Sequence, residues 1–255
     1  DGGKLKLVVI GNGMAGQRLL EKLAEAPSSA FDITVLCEEP RPAYDRVHLT
    51  SYFSISSADE LSLTSREFFA QHGIALRLND RATRIDREQR LVHTAQGAAL
   101  PYDRIVLATG SYPFVPPIPG RERAGCFVYR TIEDLEAIRA AASGARVGTV
   151  IGGGLLGLEA AKALKDLGLE THVVEFAPRL MAVQVDDAGG RVLRTRIAEL
   201  GVGIHAATST TAIEAGEDCA LRMKFADGKN LQTDLIVFSA GIRPRDELAR
   251  ECGLQ

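Results

Sequence analysis

One unit occurs twice in this chain, and that repeat constrains the fold more than any other feature. Lys6 to Ile10 is a short apolar run of strand type, followed by Gly11-Asn12-Gly13-Met14-Ala15-Gly16. Val147 to Ile151 is a second such run, followed by Gly152-Gly153-Gly154-Leu155-Leu156-Gly157. Both carry glycines in G-x-G-x-x-G spacing, and both lead into a helical pattern. In the first, Leu19, Leu20, Leu23 and Ala24 share one face, while Arg18, Glu21, Lys22 and Glu25 share the other. In the second, Ala160, Ala163, Leu164 and Leu167 repeat at helical spacing and Gly168 ends the helix. In a strand–turn–helix of this kind the first glycine permits the tight turn. The second lets a pyrophosphate approach the backbone, and the third lets helix pack close to strand. The unpaired N–H groups and the positive end of the helix then face the anion.

A lone G-x-G-x-x-G is weak, since glycines also serve plain packing in such turns. Here each copy is followed by a strand that ends in acid. Phe31 to Cys37 runs into Glu38-Glu39, and Glu170 to Val174 runs into Glu175. A carboxylate at that place accepts hydrogen bonds from a ribose diol. The ends of the repeat match as well. Asp103 to Gly110 and Asp234 to Gly241 both read as Asp, a run of apolar residues, then small residues and Gly.

Between these landmarks the chain reads as follows. Pro40 and Pro42 open a loop that reaches Arg46, a guanidinium placed to clamp a pyrophosphate or flank a ring, or simply to sit in solvent. Thr64 is expected to cap a short helix through Phe68, Phe69 and His72, closed by Gly73. Ile74 to Leu78 is a strand. Three short alternating segments (Ala82 to Asp86, Leu91 to Thr94, and one near Leu100) read as a small antiparallel layer. Tyr102 to Leu107 is expected to be a buried strand ending in Ala108-Thr109-Gly110. Pro113, Pro116, Pro117 and Pro119 then stiffen a domain boundary. Thr131 and Asp134 form a capping box for a helix with Leu135 and Ile138 inward. Asp186 and Asp187 open another helix, with Val192, Leu193, Ile197 and Leu200 inward. Leu221 to Phe225 turns at Asp227-Gly228 and returns through Leu231.

The fold expected is α/β, with two Rossmann-like dinucleotide-binding domains. The first covers residues 1–118 and is completed in part by 241–255; the second covers 119–240. With 255 residues, 45% of them hydrophobic and 25% charged, the chain can bury a core for each. A net charge of −3 argues against a nucleic-acid surface or a polybasic membrane patch. No apolar run approaches the roughly 20 residues that span a bilayer. No signal peptide precedes the first strand, and Asp1-Gly2-Gly3 reads as a flexible leader or an expression remnant. Cys37, Cys126, Cys219 and Cys252 show no C-x-x-C or metal-ligand spacing, so reduced thiols in a cytoplasmic protein, with no metal site, are expected.

Two dinucleotide sites in one chain suggest two cofactors that exchange electrons, most commonly a held flavin and an exchangeable nicotinamide. The cofactors then carry the chemistry and the protein supplies binding, orientation and electrostatics. No Ser/His/Asp or Cys/His constellation competes with this reading.

The chain resembles the two-dinucleotide-binding-domain flavoproteins, the pyridine nucleotide-disulphide oxidoreductase family, which includes ferredoxin, rubredoxin and glutathione reductases. Within it, the chain more closely resembles the N-terminal part of bacterial NAD(P)H nitrite reductase large subunits, flavoproteins of nitrate assimilation. The stretches that carry the narrower likeness include Cys37-Glu38-Glu39-Pro40, Ala43-Tyr44-Asp45-Arg46-Val47-His48-Leu49, Ala108-Thr109-Gly110-Ser111-Tyr112-Pro113 and Val128-Tyr129-Arg130-Thr131-Ile132-Glu133-Asp134-Leu135. The resemblance implies FAD in the first domain, held by Gly11, Gly13, Met14, Ala15 and Gly16, with Glu38 or Glu39 at the ribose and Arg46 at the phosphates or flavin edge. It also puts Ala82 near the adenine and Ala108, Thr109 and Gly110 beside the cofactor. It implies NAD(P)H in the second domain, held by Gly152, Gly154, Leu155, Leu156 and Gly157, with Ala240 and Gly241 alongside and Glu159 near the nicotinamide as the catalytic carboxylate. Glu175 favours NADH, because a carboxylate accepts from a 2′-hydroxyl and repels a 2′-phosphate; Arg179, four residues on, is positioned to soften that preference.

The sequence also departs from the family. Ser51 follows Thr50 where the ferredoxin-reductase branch carries a flavin-proximal lysine. No cysteine lies between Glu38 and Phe53, where the disulfide-reductase branch needs one. The family's final segment would follow Gln255, which makes the fold a C-terminally truncated one. The iron–sulfur cluster and sirohaem of a complete nitrite reductase subunit would lie in that absent part. Expected partners are therefore NAD(P)H and electron-acceptor centres outside this chain, and the resemblance also allows a homodimer. Two other readings stand beside this one: a stand-alone NADH-dependent reductase of a ferredoxin- or rubredoxin-like carrier, and a nucleotide-binding fragment without turnover.

Overall fold

The computed structural model describes residues 3–26 and 30–254, so the leader reading of Asp1-Gly2 lies outside the described residues. In chain order the elements are β1 (Leu5–Ile10), α1 (Met14–Ala24), β2 (Phe31–Leu36), α2 (Arg66–Gln71), β3 (Ala75–Arg77), β4 (Ala82–Asp86), β5 (Leu91–Thr94), β6 (Ala99–Pro101), β7 (Arg104–Leu107) and β8 (Ser111–Pro113). They continue as β9 (Cys126–Val128), α3 (Ile132–Ala142), β10 (Val147–Ile151), α4 (Leu155–Asp166), β11 (Glu170–Val174), α5 (Asp187–Glu199) and β12 (Val202–His205). The last are β13 (Thr210–Ala215), β14 (Leu221–Phe225), β15 (Asn230–Thr233), β16 (Leu235–Phe238), β17 (Ile242–Pro244) and α6 (Glu247–Glu251). They form two compact units. The first comprises Asp1–His48, Ser56–Ser111 and Pro244–Gln255; the second comprises Leu49–Ile55 and Tyr112–Arg243.

The first unit is a parallel sheet in the order β3-β2-β1-β7 with an antiparallel layer β4-β5-β6. The second part of β1, Leu7 to Ile10, is apolar and buried because both faces are covered there. Leu7 and Val9 pack with Leu20, Ile33, Val35, Phe69 and Ile74 on the helix side. Val8 and Ile10 point the other way, into Leu36, Ala82, Ile85 and Val92 of the antiparallel side. The second unit repeats the plan with the sheet β12-β11-β10-β16-β9 and the layer β13-β14-β15. Ile151, Val174, Ile213, Met223, Phe225, Ile236 and Phe238 fill the space between them.

The repeat extends into the loops. Asp103 accepts from the Lys6 N–H at 2.8 Å, and Asp234 accepts from the Arg146 and Val147 N–H groups at 2.8 and 3.0 Å. In each unit, therefore, the aspartate before the last strand ties down the start of the first. Asn79 and Ala207 both adopt left-handed backbone after the third strand, at φ 54° and 49°. The first strand of each antiparallel layer carries a register shift at its start, between Ala82 and Arg84 and between Thr210 and Ala212.

Several expectations are corrected. Ser65, not Thr64, occupies the N-cap position of α2, so that helix begins one residue later than Thr64 would start it. The strand before Thr109 is only half-buried, because β7 is the edge strand of its sheet. Of the residues expected inward on α5, Leu193 and Ile197 are half-buried, but Val192 and Leu200 are 62% and 64% exposed. That helix makes its close approach through Gly190, against the side chain of Arg179, and the stripe it covers is narrow. The unit boundary falls at Ser111–Tyr112, ahead of the proline-rich stretch, and residues 49–55 cluster with the second unit rather than the first. The cause is side-chain bonding. Arg139 of α3 donates to the Tyr52 carbonyl at 2.5 Å and lies over the Tyr52 ring, and Tyr52 donates to Glu136 at 3.4 Å. Among the described residues no helix is long and apolar enough to cross a membrane.

Candidate nucleotide-binding sites

Each unit presents a glycine turn at the carboxyl end of its central strand. Gly11 donates to the Leu36 carbonyl at 2.9 Å, and Gly152 donates to the Val174 carbonyl at 2.9 Å. Both lie at positive φ, 109° and 120°. A Cβ on Gly11 would stand 2.1 Å from the Ala108 carbonyl oxygen, and one on Gly152 would stand 2.1 Å from that of Ser239. The third glycines are equally confined: a Cβ on Gly16 would meet the Gly11 oxygen at 2.5 Å, and on Gly157 the Gly152 oxygen at 2.0 Å. The middle glycines differ. Around Gly13 and Gly154 no atom lies within 4 Å of where a Cβ would stand, and their backbones are extended. Steric demand inside the protein accounts for the outer glycines and not for the middle ones, whose backbone is open to close approach.

The helices point the same way. α3 and α5 are capped by the side chains of Thr131 and Asp186, which accept from Asp134 and Gly189. α1 and α4, which follow the glycine turns, have glycine at the N-cap and no side-chain cap. Their leading N–H groups and positive dipole ends stay available to an anion.

In the first unit Asn12 is buried and braces the turn. Its Oδ1 accepts from Ala43 N–H at 2.8 Å and its Nδ2 donates to Gln17 at 3.1 Å. The sequence reading did not single out Asn12; a buried-facing Gln17 on the apolar side of α1 is the only trace it leaves. The two acidic candidates separate. Glu39 accepts from the Tyr44 hydroxyl at 2.7 Å and from the Arg46 guanidinium. Arg46 also donates to the Tyr44 oxygen at 2.7 Å and stacks over that ring. Arg46 thus sits in a knot with Glu39 and Tyr44. Glu38 is half-exposed and accepts from Arg245. Ala82 is buried at the start of β4. Thr109 donates to the Arg245 carbonyl at 2.5 Å, and Gly110 accepts from the Arg245 N–H at 2.9 Å. Cys37 is buried, and burial pushes its thiol up to about 11, so it is a packed thiol.

In the second unit the Glu175 carboxylate accepts from Gly153 N–H at 2.5 Å and from Ala177 N–H at 2.7 Å. It is therefore fixed beside the glycine turn. Arg179 is held by other groups. Its guanidinium donates to Asp187 at 2.8 Å, to the Val185 carbonyl at 3.0 Å and to the Ala182 carbonyl at 3.2 Å. For Arg179 to soften the preference set by Glu175, its guanidinium would have to leave these partners. Leu155 and Leu156 are exposed at the head of α4. Gly241 accepts from Phe114 N–H at 2.9 Å, directly after Ala240. Glu159, one turn into α4, is reached by Thr50 at 3.5 Å, and Tyr129 donates to the same Thr50 hydroxyl at 3.0 Å. Tyr129 is buried, and burial, together with the nearby Glu159 charge, pushes its phenol up to about 12 against the hydrogen bond to Thr50. Among the described residues no group of three His, Cys, Asp or Glu side chains is placed to hold a metal ion.

Known proteins resemble this chain in sequence and in fold. The large subunit of NADH nitrite reductase from Escherichia coli (strain K12) is 54% identical over 253 residues, which is 98% of this chain and 30% of that protein. The NAD(P)H nitrite reductase large subunit of Klebsiella oxytoca is 57% identical over 249 residues, 97% of this chain and 26% of that protein. The chain thus spans less than a third of the length of these relatives. Among solved structures, a ferredoxin reductase from Rhodopseudomonas palustris superposes with a TM-score of 0.90 at 31% identity, over 98% of this chain and 62% of that one. The sequence profile of the pyridine nucleotide-disulphide oxidoreductases matches residues 5–255, and the chain belongs to that family.

Proposed function

We propose that this chain is the electron-input segment of an NAD(P)H nitrite reductase-type flavoprotein: the first unit holds FAD and the second binds NADH. The observation that carries the reading is the duplicated turn, in which Gly13 and Gly154 are open to a ligand while their flanking glycines are walled in by backbone. In the first unit Gly11, Gly13, Met14, Ala15 and Gly16 hold the pyrophosphate, Glu38 the ribose, and Ala82 the adenine end. Ala108, Thr109 and Gly110 line the cofactor's flank, and the knot of Glu39, Tyr44 and Arg46 stands at its edge. In the second unit Gly152, Gly154, Leu155, Leu156 and Gly157 hold NADH, Glu175 its ribose, and Glu159 orients the nicotinamide end beside Ala240 and Gly241. When bound, FAD supplies the capacity to take an electron pair from NADH and release it to further centres. The residues of this chain bind and orient the two cofactors. Glu175 selects against a 2′-phosphate.

The further centres lie outside these residues, and nitrite is the final oxidant, in keeping with the names of the relatives. Equilibrium dialysis tests the two-site reading. It predicts one FAD and one NADH bound per chain, with neither displacing the other. One-for-one displacement of FAD by NADH contradicts it. NADH-dependent loss of nitrite, measured in the longer protein that contains this segment, tests the final oxidant.

A further inference from the structure

Arg245 is placed by the fold rather than by a sequence motif. Its backbone N–H donates to the Gly110 carbonyl at 2.9 Å, and its own carbonyl accepts from the Thr109 hydroxyl at 2.5 Å. Both anchors directly follow β7. Its guanidinium donates to the Glu38 carboxylate, which follows β2. The sheet order β3-β2-β1-β7 puts β1 between those two strands. Two strand spacings, roughly 9–10 Å, separate β7 from β2, and the arginine and glutamate side chains close that span between them. Arg245 therefore crosses the carboxyl end of β1, where Gly11 and Gly13 open the turn and α1 begins without a side-chain cap.

The second unit supplies an internal comparison. Gly241 stands in it as Gly110 stands in the first unit, and its carbonyl accepts from the Phe114 N–H at 2.9 Å. Phe114 thus occupies the position of Arg245 and carries no charge. Its ring carries the Arg243 guanidinium stacked at 4.5 Å, whereas in the first unit the Arg245 guanidinium is tied to the Glu38 carboxylate.

We infer that Arg245 is a further cofactor-binding residue of the first site, one whose guanidinium holds the Glu38 carboxylate toward the ribose and donates to the pyrophosphate above the glycine turn. The inference rests on the reading of the first unit as the FAD site. A planar guanidinium has donors enough to serve a carboxylate and a phosphate together, which a lysine does not match in geometry.

The test is the dissociation constant of FAD from flavin-free protein, read by quenching of FAD fluorescence in wild type, Arg245→Ala and Arg245→Lys at low and high salt. NADH affinity and the melting temperature of the flavin-free protein serve as controls for folding. Loss of a charge-assisted hydrogen bond predicts a rise of about tenfold or more in the FAD dissociation constant for Arg245→Ala. Arg245→Lys should fall between, the salt dependence should flatten in Arg245→Ala, and NADH affinity should hold. FAD affinity unchanged in Arg245→Ala overturns the inference. Tighter FAD binding in Arg245→Ala also overturns it, since the arginine would then be a competitor of the ribose for Glu38. If wild type itself binds no FAD, the assignment of the first unit fails and the inference falls with it.

Discussion

Gly154→Ala and Gly157→Ala are chemically the same change three residues apart, and the structure predicts opposite outcomes. At Gly157 the new methyl would stand 2.0 Å from the Gly152 carbonyl oxygen and 2.8 Å from its carbon, both backbone atoms. Nonbonded heavy atoms settle at about 3.5 Å, so α4 must retreat from β10 by roughly 1.5 Å. Overpacking of this kind costs about 1–3 kcal/mol, sometimes more. Alanine's better helix propensity returns at most about 1 kcal/mol. A net loss of about 2 kcal/mol corresponds to a fall of roughly 4–8 °C in melting temperature for a chain of this size. At Gly154 the backbone, φ −79° and ψ −177°, suits alanine, and nothing lies within 4 Å of the new methyl. Losing glycine at the N-cap costs a little, and restricting the unfolded chain returns about 0.4–1 kcal/mol. Stability should stay within about 1 kcal/mol of wild type. NADH affinity should not. A methyl there holds the pyrophosphate off the α4 N–H groups, and losing one hydrogen bond to a charged group raises the dissociation constant about tenfold or more. Thermal melts and NADH fluorescence titrations of both variants decide it. Gly154→Ala that melts like Gly157→Ala, or that binds NADH as wild type does, refutes the reasoning.

Other expectations follow from the same geometry. With Glu175 fixed by Gly153 and Ala177 and Arg179 engaged by Asp187, kcat/KM should favour NADH over NADPH by about tenfold or more; Glu175→Ser should narrow the ratio, and equal use of both by wild type contradicts the assignment. Burial raises the Asp234 carboxyl, but the N–H groups of Val147, Arg146 and Ala220 outweigh it and hold its pKa below the ordinary aspartate value. The stability this provides is present above the unfolded-state value near 3.9. It is lost as pH falls through the lower folded value, so Asp234→Asn should flatten the acid limb of a stability–pH curve; an unchanged limb counts against the strand tie. Ultraviolet titration should show a tyrosine ionising at about 12 that disappears in Tyr129→Phe; its persistence in the variant means another tyrosine is responsible.

The two glycine turns, their helices, the acidic strand ends and the first antiparallel layer were legible in the sequence, because each depends on local spacing. The matching Asp103 and Asp234 were visible as a pattern, and their purpose became clear only from the N–H groups they accept from across the sheet. Other features have no local signal. β13 reads Thr-Thr-Ala-Ile-Glu-Ala, too weakly alternating to stand out, and it becomes a strand because Ile213 fills the second core. Ala207 at positive φ looks like any alanine. On α5 the helical period places Leu193 and Ile197 correctly but not Val192 or Leu200, because how wide a stripe is covered depends on Gly190 and Arg179, which periodicity does not encode. The clustering of Leu49–Ile55 with the second unit rests on Arg139, Tyr52 and Glu136, whose separations of 84 and 87 residues hide them from any local reading. Arg245 and Glu38, 207 residues apart, are hidden for the same reason.

The most direct test of the account is a visible absorption spectrum of the purified chain after incubation with FAD and removal of the excess, recorded before and after anaerobic addition of NADH. The account predicts a retained oxidised-flavin spectrum that NADH bleaches, because both glycine turns are open to a dinucleotide. A flavin spectrum that NADH leaves unchanged while NADH demonstrably binds, or the absence of any retained flavin, contradicts it.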